Sequence, residues 1–385
     1  MGSPYTSGNI NAYDYSAGTK GALLANGAIN GDGTYNLTFA NAAETVLIEA
    51  INGCYTETAY YYGGTIPQNK VSVNVCSSAP LDAVVGIPVG TSSVSAAVTP
   101  FTHAELGLIE YKIRMGNALS VALSDSSVIF TQLLGRNPIN TIPAMPQHIE
   151  TVSDATIYGA YIAGIGSWVY GVAAPAQSGT IVPFGTGPLN TLAYAEAMRE
   201  DLSQDGVLNG VGRDANGALI SVKIFNIPLS TDVYRHGLAK YATIRLRGNF
   251  EAVVGATGQD YQRIIGFLPA MVSYNNSTSS LFDSTAITAL DEGGPQISIG
   301  TPLPGGTLSG NSGIDGLTHD ITGITIGNEE LLIDGIYYDI FLNPYHPNHF
   351  INTTIFANGV YILTIRATNN LGTVATKSVS ATFSN

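Results

Sequence analysis

The stretch Ser93-Val94-Ser95-Ala96-Ala97-Val98-Thr99-Pro100-Phe101-Thr102-His103-Ala104-Glu105 changes its period in mid-course. Through Val98 it reads as a short half-buried strand. After Pro100, Leu106, Ile109 and Ile113 recur at helical spacing. Thr102 and Glu105 fit a capping box, in which a hydroxyl and a carboxylate satisfy orphan N–H groups of the first turn. A chain that is strand-like before this point and helical after it is α+β, with its elements segregated.

Upstream, strand patterns lie between turn signals. Tyr35, Leu37 and Phe39 alternate with polar residues after the turn Asn30-Gly31-Asp32-Gly33. Residues 46–51, 71–75 and 93–98 read as further strands, and together they predict a small β-sandwich over 4–98. Downstream, 121–134, a stretch capped by Asp154, 191–202, 231–247 and 261–271 read as helices, with a small β insert near 218–225. This helical domain spans 99–292. Gly293-Gly294-Pro295 marks a boundary, and about seven short strands follow over 293–385, the pattern of an Ig-like sandwich. The predicted fold class is therefore multidomain α+β: β-sandwich, helical middle, Ig-like β-sandwich.

Composition narrows the function. Only 11% of the 385 residues are charged, against about 25% in an average soluble domain, while 45% are hydrophobic. Disorder needs low hydrophobicity with high net charge, so it is excluded. Fifteen Lys and Arg in a chain of net charge −13 do not supply a nucleic-acid surface. No apolar run reaches the 18 residues of a membrane-spanning helix. Gly, Ser, Thr and Tyr in place of charge suit short strands and tight turns, and an extracellular location is expected. Met1-Gly2-Ser3 reads as a start codon and cloning remnant, so a signal sequence is expected upstream. In that compartment Cys54 and Cys76 are expected to form a disulfide, the alternative being two buried thiols.

Two resemblances follow. Ala12-Tyr13-Asp14, Gly21 to Ala25 and Gly31-Asp32-Gly33-Thr34-Tyr35-Asn36-Leu37 together resemble a carboxypeptidase-regulatory-like (transthyretin-like) domain. That resemblance implies a prealbumin-like sandwich with a non-catalytic role as a folding or spacer module. Such domains open with a Gly-x-Val strand, which is absent before Pro4. The resemblance therefore implies a gap that a donated strand would fill by β-augmentation, as in a surface filament. Gly359-Val360-Tyr361 through Gly372 resembles the closing strands of bacterial Ig-like domains, which implies spacing, adhesion or carbohydrate binding. The order of modules is similar to bacterial cell-surface and secreted modular proteins.

Candidate sites are few. Asp201, Ser203, Asp205, Val207 and Asn209 match alternate ligand positions of a calcium loop, with Gly206 for the turn. Gly212 stands where the bidentate Glu is needed, so a helix C-terminus with an Asp-Gly turn is the plainer reading. Lys223, Arg235, Lys240, Arg245, Arg247 and Arg263 concentrate the basic charge, as exposed helix faces or partners for the carboxylates. Tyr60-Tyr61-Tyr62 offers aromatic faces for sugars, or an edge strand. His346 and His349 share a loop that reads as polar rather than metal-binding. His103 reads as structural. No Gly-x-Ser-x-Gly elbow, His-Glu-x-x-His helix or phosphate loop is present. The expectation is a non-catalytic extracellular structural or adhesion protein, partnered by copies of itself or by a surface polymer such as polysaccharide, with calcium as the one candidate cofactor.

Overall fold

The computed structural model describes residues 3–40, 44–61, 69–88, 93–145, 151–169, 190–214, 216–224, 227–231, 233–239, 241–242, 245–246, 267, 269–271, 273–274, 277–282, 296–319, 326–342, 348–369 and 374–385. It divides into two compact units. The first comprises the described residues of Met1–Tyr61, Gln68–Asn249 and Ser273–Asp283; the second is built on Ser284–Asn385 with described residues of Phe250–Val272. The N-terminal strands and the helices that follow, which the sequence divides at 98/99, share one unit.

The first unit is organised by one long strand. Strands β1 (Ser7–Asp14), β2 (Leu23–Ala28), β3 (Thr45–Tyr61), β4 (Asn69–Ser77) and β5 (Leu81–Gly86) form a single sheet in the order β2-β1-β3-β4. Along one edge β3 pairs with β1. Along the other it pairs first with β5, from Thr45 to Ala50, and then with β4, from Gly53 to Tyr61. Both faces of its first half are buried. Val46, Ile48 and Ala50 join Leu192 and Ala195 in one core cluster. Leu47 joins Val84, Leu106, Ile109 and Ala122 in another. Helices therefore cover both faces where the expected sandwich has only strands. The expected strands at 35–39 and 93–98 form no ladder pairing. Tyr35, Leu37 and Phe39 nonetheless pack together on the core, as their alternation predicts.

A break in parity lies inside β3. Asn52 has a φ of 55°, and the partner strand slips at Gly8, a bulge that inserts one residue. Before it the even-numbered Val46, Ile48 and Ala50 face the first cluster; after it Tyr55 does. One residue out of step is enough to exchange the faces of all that follows.

Four helices are described in full in this unit: α1 (Pro100–Arg114), α2 (Leu119–Leu134), α3 (Asp154–Trp168) and α4 (Thr191–Asp205). The cap of α1 lies one turn earlier than expected. Thr99 is the N-cap, boxed with Thr102, and Pro100 occupies the first turn, where its missing N–H costs nothing. Glu105 has no capping role. Helix α3 is capped by Ser153 rather than Asp154. The expected β insert is present as two small hairpins, β6 (Val211–Arg213) with β7 (Leu219–Ser221) and β8 (Lys223–Ile224) with β9 (Ile227–Pro228). Most of the helix expected over 261–271 lies outside the described residues.

The second unit is a β-sandwich. One sheet has the order β10 (Gln296–Thr301), β12 (Asn311–His319), β15 (Asn348–Asn352). The other has the order β11 (Gly306–Leu308), β17 (Val374–Phe383), β16 (Gly359–Asn369), β13 (Ile326–Ile333), β14 (Ile336–Leu342). Ile314 and Ile351 of the first sheet and Leu331, Leu363, Ile365 and Phe383 of the second share one core. β11 runs parallel to β17 while the other described ladders of the sandwich are antiparallel. The Ig-like expectation holds at the level of a two-sheet sandwich.

Cys54 and Cys76 face each other across β3 and β4 and are disulfide-bonded, with 4.0 Å between their Cα atoms. The bridge closes a loop of 22 residues in the unfolded chain. Its reduction is expected to lower the stability of the first unit by about 3 kcal/mol on loop-entropy grounds. Urea unfolding with and without reductant, followed by Trp168 fluorescence, measures this. Trp168 is the sole tryptophan and is buried in the first unit.

Candidate functional site

The described residue cluster richest in ionisable groups lies where β5, α1 and α4 meet. Pro100 and the Thr99 cap start α1 beside β5, where the Thr102 hydroxyl donates to the Asp82 carbonyl. One residue on, His103 is completely buried. The Asp82 backbone N–H donates to its Nδ1 at 3.1 Å, and an Asp82 carboxylate oxygen lies 3.2 Å from the same nitrogen. Glu196 of α4 holds Nε2 at 2.8 Å. Arg199, one turn further along α4, reaches Asp82 at 3.5 Å and Glu110 at 2.9 Å. The helices approach closely here: a Cβ on Gly107 would stand 2.3 Å from the Arg199 carbonyl oxygen.

The electrostatics follow from this packing. Burial pulls the His103 pKa down, but the hydrogen bonds with Asp82 and Glu196 outweigh it and hold the ring above its usual value. The same bond lowers Glu196. Both ring nitrogens are thus occupied by carboxyl-bearing residues, and neither meets a hydroxyl or thiol. The arrangement binds three elements together and offers no relay to a nucleophile.

Glu105 stands apart. It is 1% exposed, its Oε2 has no hydrogen-bond partner, and burial pushes its carboxyl up to about 8. Asp201 is a second case, buried and pushed up to about 7 by desolvation, against the opposing pull of the Gly210 N–H.

The calcium-loop residues fall on the end of α4 and the turn after it. Asp201, Ser203 and Asp205 belong to the helix, and Gly206 ends it in the left-handed conformation. The Ser203 hydroxyl donates to the Glu200 carbonyl. Asp205 accepts from the Val207 N–H and the Asn209 amide. Asn209 accepts from the Val211 N–H. Among the described residues no three His, Cys, Asp or Glu side chains gather closely enough to hold a metal ion. The plainer expectation, a helix C-terminus with an Asp-Gly turn, describes what is seen, with one difference: Asp201 is interior.

Several other expectations meet the structure differently. Arg235 and Arg245 are buried rather than exposed, while Lys240, Arg247 and Arg263 lie outside the described residues. His349 is not in a polar loop. It lies in β15, fully buried, with Nε2 3.0 Å from Glu329 of β13, so the pair spans the two sheets of the sandwich. Its neighbour His346 and the side chains of Tyr60, Tyr61 and Tyr62 lie outside the described residues. Glu57, Asp82, Glu196 and Arg199 were not among the residues singled out in the sequence. The available signal was a carboxylate inside an otherwise strand-like run, as at Glu57 and Asp82.

A cavity of about 390 Å³ lies over the same face of the sheet as Val46 and Ile48. Ile10, Ala50 and Leu81 form its floor; Tyr35, Ala96 and Val98 stand among its walls.

No family model and no curated protein matches this chain. Solved structures similar over parts of it include the following two. The fibronectin(III)-like modules of Clostridium thermocellum CbhA share 14% identity over 23% of this chain and 96% of that one, with a TM-score of 0.20. The endo-beta-1,4-mannanase from Thermotoga petrophila shares 12% identity over 32% of this chain, with a TM-score of 0.21. The match spans about a quarter (24%) of the mannanase. Neither score establishes a common fold.

Glu105 and Asp201 set the sign of the pH dependence. Each has a folded pKa above its unfolded value, so between the two the folded state holds a proton that the unfolded state has lost. Their contribution is therefore full in acid and is lost as pH rises through about 7 and 8. His103 acts in the same direction. The first unit should melt at a lower temperature at pH 9 than at pH 5. Glu105→Gln should match the parent at pH 5 and be more stable at pH 9, by on the order of 3 kcal/mol. Melting curves read by Trp168 fluorescence check both.

Proposed function

We propose that this chain is a non-catalytic structural or adhesive protein of a bacterial cell surface. The observation that supports this best is the use made of its chemistry-bearing groups: they tie elements together. His103 joins β5 to α1 and α4, and Glu329 meets His349 across the sandwich. The disulfide fits an oxidising, extracytoplasmic compartment. No helix among the described residues is long and apolar enough to cross a membrane, so attachment by such a helix is not part of the reading. The low charge fits a surface that is hydrated through Ser, Thr and Asn.

A second reading, binding of a surface polysaccharide, rests on Phe350 of β15, an aromatic ring 64% exposed on the sandwich and open to stacking.

Fractionation and surface biotinylation of the source cells test the first reading. The chain is expected in the surface fraction, with Cys54 and Cys76 oxidised. Recovery from the cytosol with both thiols reduced would contradict it. A glycan array tests the second: retention that Phe350→Ala abolishes supports it, and an array without signal removes it.

A further inference from the structure

We infer that the cavity over the first unit's sheet binds one small, uncharged and largely apolar molecule. Its volume of about 390 Å³ lies near the lower end of the roughly 300–1,000 Å³ of small-molecule sites. The walls are tied in place by contacts of their own. Ile10, Ala50 and Leu81 of the sheet form the floor. Tyr35 closes one side, its hydroxyl donating to the Ala96 carbonyl at 2.7 Å. The 94–98 segment is held in turn by the Ala97 N–H, which donates to the Ile139 carbonyl. Residues 142–145 form a further wall, fixed to α3 by the Ala144 N–H on the Ala155 carbonyl. Walls anchored in this way make a site that is largely formed before a ligand arrives.

The chemistry of the lining selects the ligand. Among the described residues no Lys, Arg or His lines the cavity, and Asp32 is its one carboxylate. Asp32 is exposed and already accepts from the Thr34 N–H and hydroxyl. The Thr99 hydroxyl shares a hydrogen bond with that of Tyr158, and the Ser3 hydroxyl accepts from the Thr56 N–H. Of the described side chains in the lining, only Tyr5 has a buried polar atom with no hydrogen-bond partner, its hydroxyl. A charged ligand would lose its hydration here without replacement. A sugar would give up more hydrogen bonds to water than one tyrosine can return.

The opening is apolar as well. Ile142 and Val94 line the cavity yet are 71% and 43% exposed, and no other large apolar side chain described is as exposed as Ile142. Single exposed apolar residues are ordinary. Two of them at the mouth of an apolar cavity carry its surface outward, where a bound molecule would cover it. Water is a poor occupant of such a space, because an ordered water needs roughly two to four polar partners. The site adds a small-molecule ligand to a protein whose ionisable groups serve its framework, and it goes beyond the surface-structural reading.

Titration of the whole chain with the neutral dye N-phenyl-1-naphthylamine, read by the dye's fluorescence, tests the site. Saturable binding of one dye per chain is expected. 8-Anilinonaphthalene-1-sulfonate, the same ring system bearing a charge, should bind about tenfold more weakly or worse. Ile142→Ser, at an exposed position, should raise the dissociation constant about fivefold. Ala96→Phe, which narrows the cavity, should abolish binding, with circular dichroism reporting the fold. Met115→Ser, exposed and outside the lining, should change nothing. Competition by 1-dodecanol or by 1-naphthol tells an acyl chain from a ring system as the class of occupant. The inference is overturned if no saturable binding is seen, or if the sulfonate binds as tightly as the neutral dye. It is also overturned if neither Ile142→Ser nor Ala96→Phe weakens binding, or if neither competitor displaces the dye. None of these results depends on the fractionation outcome, so failure of the site and failure of the surface reading are distinguishable.

Discussion

The carboxylate of Glu57, buried on β3, is the contact on which the first unit depends. It accepts from the Thr191 N–H and hydroxyl at the first turn of α4, both at 2.9 Å, and from the Tyr55 hydroxyl at 2.9 Å. A carboxylate satisfies the orphan N–H groups of a helix start and complements the positive end of its dipole. On its other flank it presses against α3: a Cβ on Gly166 would stand 2.3 Å from Oε1. One side chain of the sheet thus positions two helices. It can do so because of the bulge at Asn52, which turns Tyr55 and Glu57 to the face that α4 covers. With β3 in strict alternation, Glu57 would stand on the other face.

From that anchor the remaining ties follow. With α4 held at its N-terminus, Glu196 and Arg199 are carried to β5 and α1, where His103 and Asp82 wait in the interior. Burying these charges in isolation would be costly; pairing them offsets the desolvation and makes the arrangement specific. The same logic recurs in the second unit, where Glu329 and His349 join two sheets. In both units ionisable groups stand where elements meet.

Much of the fold was legible in local pattern. The period change at Thr99 and the helices near 121–134 and 191–202 depend on contacts a few residues apart, the disulfide on a pair of like residues, and the strands of the C-terminal sandwich announce themselves by local alternation. What was not legible depends on distant partners. Nothing near Asn52 announces that β3 runs through its own Asn-Gly turn signal, and nothing near Glu105 announces that it is interior rather than a cap. The single sheet in place of a sandwich has the same origin. Tyr35, Leu37 and Phe39 carry a correct strand pattern, but a pattern of faces does not supply a ladder neighbour. The Asp201 loop shows the converse: a calcium-like spacing of Asp201, Ser203, Asp205 and Asn209 falls on a helix end, where carboxylate oxygens accept from Val207, Asn209 and Gly210.

The most direct test of this account is native-state hydrogen exchange on Glu57→Gln. If Glu57 ties the sheet to the helices, amides of β3, β4, α3 and α4 will all lose protection by the same free energy, about 2 kcal/mol or more. Loss of protection in α4 alone, with β3 and β4 as stable as in the parent, would contradict it.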